Sequence, residues 1–143
     1  EFDTEGEMLG VFSAMMSSVT DEFTRIVGHN ILGFDLPKLR NRMVRNKVKL
    51  PNCLVPRFGD GEKNQPVYDT MKSARYFSQE LSNQLFVSFD ALAKALGLPI
   101  HKHLMDGSQV PAFAEQARID EILLYNALDV EREEAAFLMM TGA

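Results

Sequence analysis

The sequence predicts an α/β fold in which short strands end in turns that feed helices. Two observations carry that reading. A β-branched run from Arg25 to Ile31 breaks at a Gly-containing turn, and a helical stretch from Asp35 to Asn46 follows it. A second short apolar run, Val67-Tyr68-Asp69-Thr70, lies further on, followed by helical patterns at Phe89 to Leu96 and from Arg118 or Ile119 to about Met139. The 143 residues suffice for one core, so residues 1–143 read as a single domain.

Composition narrows the class. Hydrophobic residues make up 45% and charged residues 24%, which excludes a disordered chain. No apolar run approaches the roughly 20 residues of a membrane span. The single cysteine, Cys53, forms no internal disulfide and fits a reducing compartment, so a cytoplasmic location is expected. The formal charge of −5 gives no global attraction for nucleic acid. Binding would rest on a local basic face or on bound metal. The chain opens at Glu1 without an initiator methionine, which reads as a fragment, a processed chain or a partial product.

Taken in order, Glu7 to Met16 has helical spacing in Met8, Leu9, Val11, Phe12, Met15 and Met16, and Ser17 to Thr20 breaks the pattern. In the Asp35 helix, Pro37 falls in the first turn, where its missing N–H costs nothing. A carboxylate at that helix start points out of the carboxyl end of a strand, the place where open α/β sheets put their chemistry. Lys38, Arg40, Arg42, Arg45, Lys47 and Lys49 make this helix and its exit basic, either as a solvated face or as a phosphate-facing patch. Leu50 to Pro66 reads as a loop punctuated by Gly and Pro. Asp69 ends the second strand and either caps the segment after it or takes a functional role. Ser73 to Phe86 is left open as a connector or lid.

Ser88 reads as an N-cap, Asp90 suits the helix dipole, and Gly97 ends the helix. Leu98 to Leu104 is a loop holding His101, Lys102 and His103. Two His at i and i+2 without Cys are poor zinc ligands, so a substrate-facing loop is the stronger reading. Asp106-Gly107-Ser108 is a turn, Val110 to Ala117 is a short helix, and the last helix has an inward stripe of Ile122, Tyr125, Ala127, Ala136, Phe137 and Met140. Tyr125 and Asp129, four apart, share a face of it.

Three stretches carry a family resemblance. His29-Asn30-Ile31-Leu32-Gly33-Phe34-Asp35-Leu36-Pro37 resembles the second motif of the DEDD 3′–5′ exonucleases of the RNase H-like superfamily. Tyr125-Asn126-Ala127-Leu128-Asp129-Val130 resembles the third motif in its tyrosine (DEDDy) form. Met105-Asp106-Gly107-Ser108-Gln109-Val110 lies between them and is similar to the branch related to the proofreading exonuclease domain of family B DNA polymerases. The resemblance covers the chain from about Glu7 onward.

The resemblance implies an RNase H-like exonuclease fold and two-metal phosphodiester hydrolysis with Mg²⁺ or Mn²⁺. By the family's pattern Asp35 and Asp129 would hold the metals, and Tyr125 would orient the attacking water. Asn30 would steady the site or the terminal nucleotide, and Phe34 would bind substrate. Arg42 and Arg45, from the charge of the basic helix rather than from the resemblance, are the candidates to face the phosphates. The substrate implied is the 3′ end of single-stranded DNA, with RNA left open.

The family also has a first motif, Asp-x-Glu, at the end of its first strand. Asp3-Thr4-Glu5 has that form, but only two residues precede it, and about thirty separate Asp3 from Asp35. The family places two further strands and a helix in that interval. Strands take about 3.3 Å per residue and helices about 1.5 Å, and the interval is already spent on one helix and one strand. The first motif therefore reads as absent, with a displaced version at Asp3 and Glu5 as the alternative. The domain is then expected to be truncated at its N-terminus and left with about two strands. These cannot cover the apolar faces of four helices, so another segment or a second copy would complete the sheet. The alternative function is a catalytically inactive module of the same ancestry that binds nucleic acid or protein.

Overall fold

A computed structural model of the chain describes residues 2–21, 24–57, 66–99 and 105–143. They form two compact units, Glu1–Asp69 and Thr70–Ala143.

The first unit is a β–α–β crossover with a helix in front of it. Helix α1 spans Glu5–Val19, strand β1 spans Ile26–Gly28, helix α2 spans Asp35–Arg45 and strand β2 spans Val67–Asp69. The strands pair in parallel, with Ile26 opposite Val67, Val27 opposite Tyr68 and Gly28 opposite Asp69. Parallel neighbours need a crossover, and α2 lies on it. The core gathers Leu9 of α1, Ile31, Leu36 and Met43 of the crossover, Cys53 and Leu54 of a 3₁₀ turn, and Val67 of β2.

α1 is longer at both ends than the apolar pattern indicates. Thr4 and Glu7 form a capping box: Glu7 N–H donates to Thr4 Oγ1 at 3.2 Å, and Thr4 N–H donates to Glu7 Oε2 at 3.2 Å. At the other end Thr20 donates N–H and hydroxyl to the Met16 carbonyl, which keeps Ser17 and Ser18 inside the helix. Leu9 is buried and Phe12 and Met16 pack on the core, whereas Met8, Val11 and Met15 are exposed. Asp3-x-Glu5 sits at a helix start, not at the end of a strand.

The second unit is helical. It holds α3 (Thr70–Ala74), α4 (Gln79–Ser82), α5 (Phe89–Leu96), α6 (Val110–Glu115) and α7 (Ile119–Thr141). α3 and α5 pack on α7 and on each other, and α6 packs on α7. The caps of α5 are as expected: Ala91 N–H donates to Ser88 Oγ at 3.2 Å, and Gly97 takes φ 72°. The stretch Ser73 to Phe86, open in the sequence, contains the end of α3 and all of α4.

The stripe on α7 needs one correction. Ala127 is exposed, because two residues beyond Tyr125 it is about 200° around the helix. The inward side instead runs through Ile122, Tyr125, Asp129, Arg132, Ala136 and Met140.

Among the described residues the sheet has two strands, so the chain is mostly helical and the α/β character rests on one parallel pair. No described helix is long and apolar enough to cross a membrane. The loop with His101, Lys102 and His103, and residues 58–65 of the Leu50–Pro66 loop, lie outside the described residues.

Candidate functional site

In the first unit, the turn between β1 and α2 presents Asp35. Asn30 takes the left-handed φ of 58°, which Asn tolerates better than most residues. Gly33 N–H and Phe34 N–H both donate to the Asn30 carbonyl, at 3.1 and 3.0 Å, and Leu36 N–H donates to the Ile31 carbonyl at 3.0 Å. The turn is close-packed at two glycines. A Cβ on Gly28 would lie 2.8 Å from Ile31 Cδ1, and one on Gly33 would lie 2.5 Å from Asn30 Oδ1. Asp35 is exposed in the first turn of α2, where the helix dipole favours a carboxylate.

Asp69 meets this turn from across the sheet. Its Oδ1 accepts from Asn30 N–H at 3.1 Å and its Oδ2 from Leu32 N–H at 3.1 Å. The residue is 4% exposed. The cap suggested by the sequence is therefore a cap on a distant turn, reached through the parallel pairing of Gly28 with Asp69.

The other first-unit candidates are on the surface. Phe34 is 51% exposed, and Lys38 Nζ stands 3.6 Å from its ring centroid. Arg42 pairs with Glu5 at 2.5 Å, and Asn46 Nδ2 donates to the same carboxylate at 2.9 Å. These two partners hold Glu5 below the usual carboxylate range. Arg45 is exposed in the last turn of α2.

In the second unit, Tyr125 and Asp129 are brought together on α7. The Tyr125 hydroxyl hydrogen-bonds the Asp129 carboxylate. Burial first, then this bond and the Asp129 charge, push the phenol up to about 12. It is therefore protonated at neutral pH and works as a donor. Asp106 adds its charge to the field at Tyr125. It caps the 3₁₀ turn Gly107–Gln109 and accepts from Ser108 N–H at 2.8 Å and from the Ser108 hydroxyl, which hold it below its ordinary value.

Arg132, one turn beyond Asp129, is the residue that the sequence pattern missed. Its side chain is 9% exposed, with Nη2 2.6 Å from Asp90 Oδ1 and Nη1 3.7 Å from Asp129 Oδ1. Its guanidinium carbon lies 4.9 Å from the Phe89 ring centroid. The i, i+3 spacing from Asp129 was visible in the sequence, but Asp90 reads there only as a helix-start acid.

Carboxylate oxygens suit a hard divalent cation, which takes about six oxygens and accepts one or two carboxylates if phosphate and water fill the rest. The donor count does not reach a two-metal centre. Among the described residues, no group of three or more His, Cys, Asp or Glu side chains is placed to hold a metal ion. Asp69 spends both oxygens on backbone N–H groups, and Asp129 faces Tyr125 and Arg132.

Comparison with known families matches residues 1–140 to a family model described as "Predicted 3'-5' exonuclease related to the exonuclease domain of PolB". No curated protein and no solved structure matches the chain.

Proposed function

Because the chain belongs to the family of predicted 3′–5′ exonucleases related to the exonuclease domain of PolB, we propose that it serves as a 3′–5′ exonuclease on single-stranded DNA ends. The observation that carries this reading beyond ancestry is the Tyr125–Asp129 pair, half-buried together one turn apart on the same side of α7.

The residues divide the work. Asp35 and Asp129 supply carboxylates for Mg²⁺ or Mn²⁺. Bound metal would supply positive charge for the scissile phosphate and the leaving oxygen. Tyr125 is a poor base with its pKa near 12, so its part is to orient the attacking water through its hydroxyl oxygen, with its one proton turned to Asp129. Asn30 and the exposed Phe34 ring meet the terminal nucleotide, and Arg42 and Arg45 offer charge to the phosphates.

A second reading, an inactive module that binds nucleic acid or protein, draws on Arg132. A buried guanidinium 3.7 Å from Asp129 already offsets part of the charge that a metal would meet.

The test is degradation of a 5′-labelled single strand with excess Mn²⁺ by the chain, by Asp35→Asn and by Asp129→Asn. Shortening from the 3′ end that both substitutions abolish supports the exonuclease. Strand retention without shortening by any form favours the binding module. A ribo-oligonucleotide of the same sequence separates DNA from RNA as substrate.

A further inference from the structure

We propose that Asp69 is a positioning residue for Asp35: its buried carboxylate sets the turn from which Asn30 and Asp35 are presented. The functional consequence rests on the exonuclease reading. The brace itself rests on geometry.

Asp69 is the most buried carboxylate among the described residues. A buried charge is costly unless hydrogen bonds replace its water. Here each oxygen takes a different backbone N–H, Asn30 on Oδ1 and Leu32 on Oδ2, both at 3.1 Å. The left-handed Asn30 curls the turn so that these alternate N–H groups converge, the kind of backbone concavity that binds anions. Two anchors fix the rotation of the turn as well as its position, where one would leave a pivot.

The link from brace to site is short. Leu32 is three residues before Asp35, and the bonds from Phe34 N–H to Asn30 and from Leu36 N–H to Ile31 span the gap. Gly28 and Gly33 let the turn close on itself, since a Cβ at either would strike Ile31 or Asn30. A shift of Asp69 therefore passes into the first turn of α2.

The Asp69 carboxylate is buried and accepts from the turn on both oxygens, whereas Asp35 is exposed. Asn is a poor replacement. It has one acceptor oxygen, and its amide N–H would face one of the two backbone donors. Glu keeps charge and both acceptors but carries them one methylene further out.

The test compares the full chain with Asp69→Asn, Asp69→Glu and Asp35→Asn. Amide hydrogen exchange followed by NMR reads the brace without metal or substrate. In Asp69→Asn the Asn30 and Leu32 amides should exchange at least about tenfold faster, with Met43 in α2 and Leu9 in α1 held within about twofold. Asp35→Asn should leave both turn amides protected. Unchanged exchange at Asn30 and Leu32, or an equal loss throughout the first unit, would overturn the proposal. If Asp69→Asn does not fold, Asp69→Glu is held to the same pattern.

In strand shortening with Mn²⁺, Asp69→Asn should lower kcat about ten- to a hundredfold with KM within about threefold, since roughly 1 Å of misplacement costs that much. A rise in KM at constant kcat would overturn the positioning role. If the unaltered chain shortens no strand, the exonuclease reading fails, and the exchange pattern alone upholds or overturns the brace.

Discussion

The Tyr125 hydroxyl is held by Asp129 one turn further along α7, and burial of the ring adds to the hold. The phenol pKa near 12 lies above the ordinary 10. A folded-state value raised in this way gives stability that is fully present below pH 10. It is lost as pH rises towards 12. Tyr125→Phe should therefore abolish the loss of stability between pH 10 and 12. In Asp129→Asn the phenol should titrate lower than about 12 but above 10, because burial, the larger cause, persists. Difference absorbance of tyrosinate against Tyr125→Phe reads both, and an unmoved titration in Asp129→Asn would disprove the bond.

Arg132 pairs with Asp90 and stands near Asp129, so its removal takes a cation from both carboxylates. Arg132→Met should cost about 1–2 kcal/mol in urea unfolding. This is less than the roughly 3–5 kcal/mol of a fully buried pair, because the Asp90 and Asp129 side chains are 48% and 36% exposed. The same change should tighten Mn²⁺ binding in calorimetry, since Asp129 loses a competing cation. Weaker binding would mean that Arg132 orients Asp129 for the metal.

On α2, Arg42 spends its charge on Glu5 while Arg45 is exposed. Arg45→Ala should therefore weaken single-strand binding more than Arg42→Ala does. For every phosphate no longer neutralised, the slope of log affinity against log salt should flatten by about 0.7. Fluorescence anisotropy at two salt concentrations measures this. A double variant with the same affinity and slope would make the basic patch a solvated face.

Two glycines should respond with opposite signs. Gly28→Ala puts a Cβ 2.8 Å from buried Ile31 and should destabilise by about 1–3 kcal/mol. Gly10, inside α1, has nothing within 4 Å of its Cβ position, and Gly10→Ala should stabilise by about 0.5–1 kcal/mol. Urea midpoints at constant slope decide each sign.

What could be read from the sequence was local. Pro37 and Asp35 fix the start of α2, Ser88 and Gly97 frame α5, and the four-residue spacing of Tyr125 and Asp129 puts them on one helix face. The ends of α1 were missed because the capping residues Thr4 and Thr20 lie outside the apolar pattern that defined it. The role of Asp69 depends on a parallel pairing between residues about forty apart, and no local pattern carries that register. Arg132 and Asp90 read as ordinary helix charges until α5 packs on α7. Family membership supports a general RNase H-like ancestry, whereas the described residues contribute a sheet of two strands.

Cys53 gives the first unit a chemical clock. It is the sole thiol in the sequence and is 3% exposed among Met43, Leu54 and their neighbours. An alkylating reagent reaches it only when that core opens, so the rate of thiol labelling under native conditions measures the free energy of opening. Thr70–Ala143 carries no thiol and is silent in that measurement. Labelling read beside the helical circular dichroism, to which both units contribute, therefore times the breathing of one core against the melting of the whole chain, without a probe being introduced.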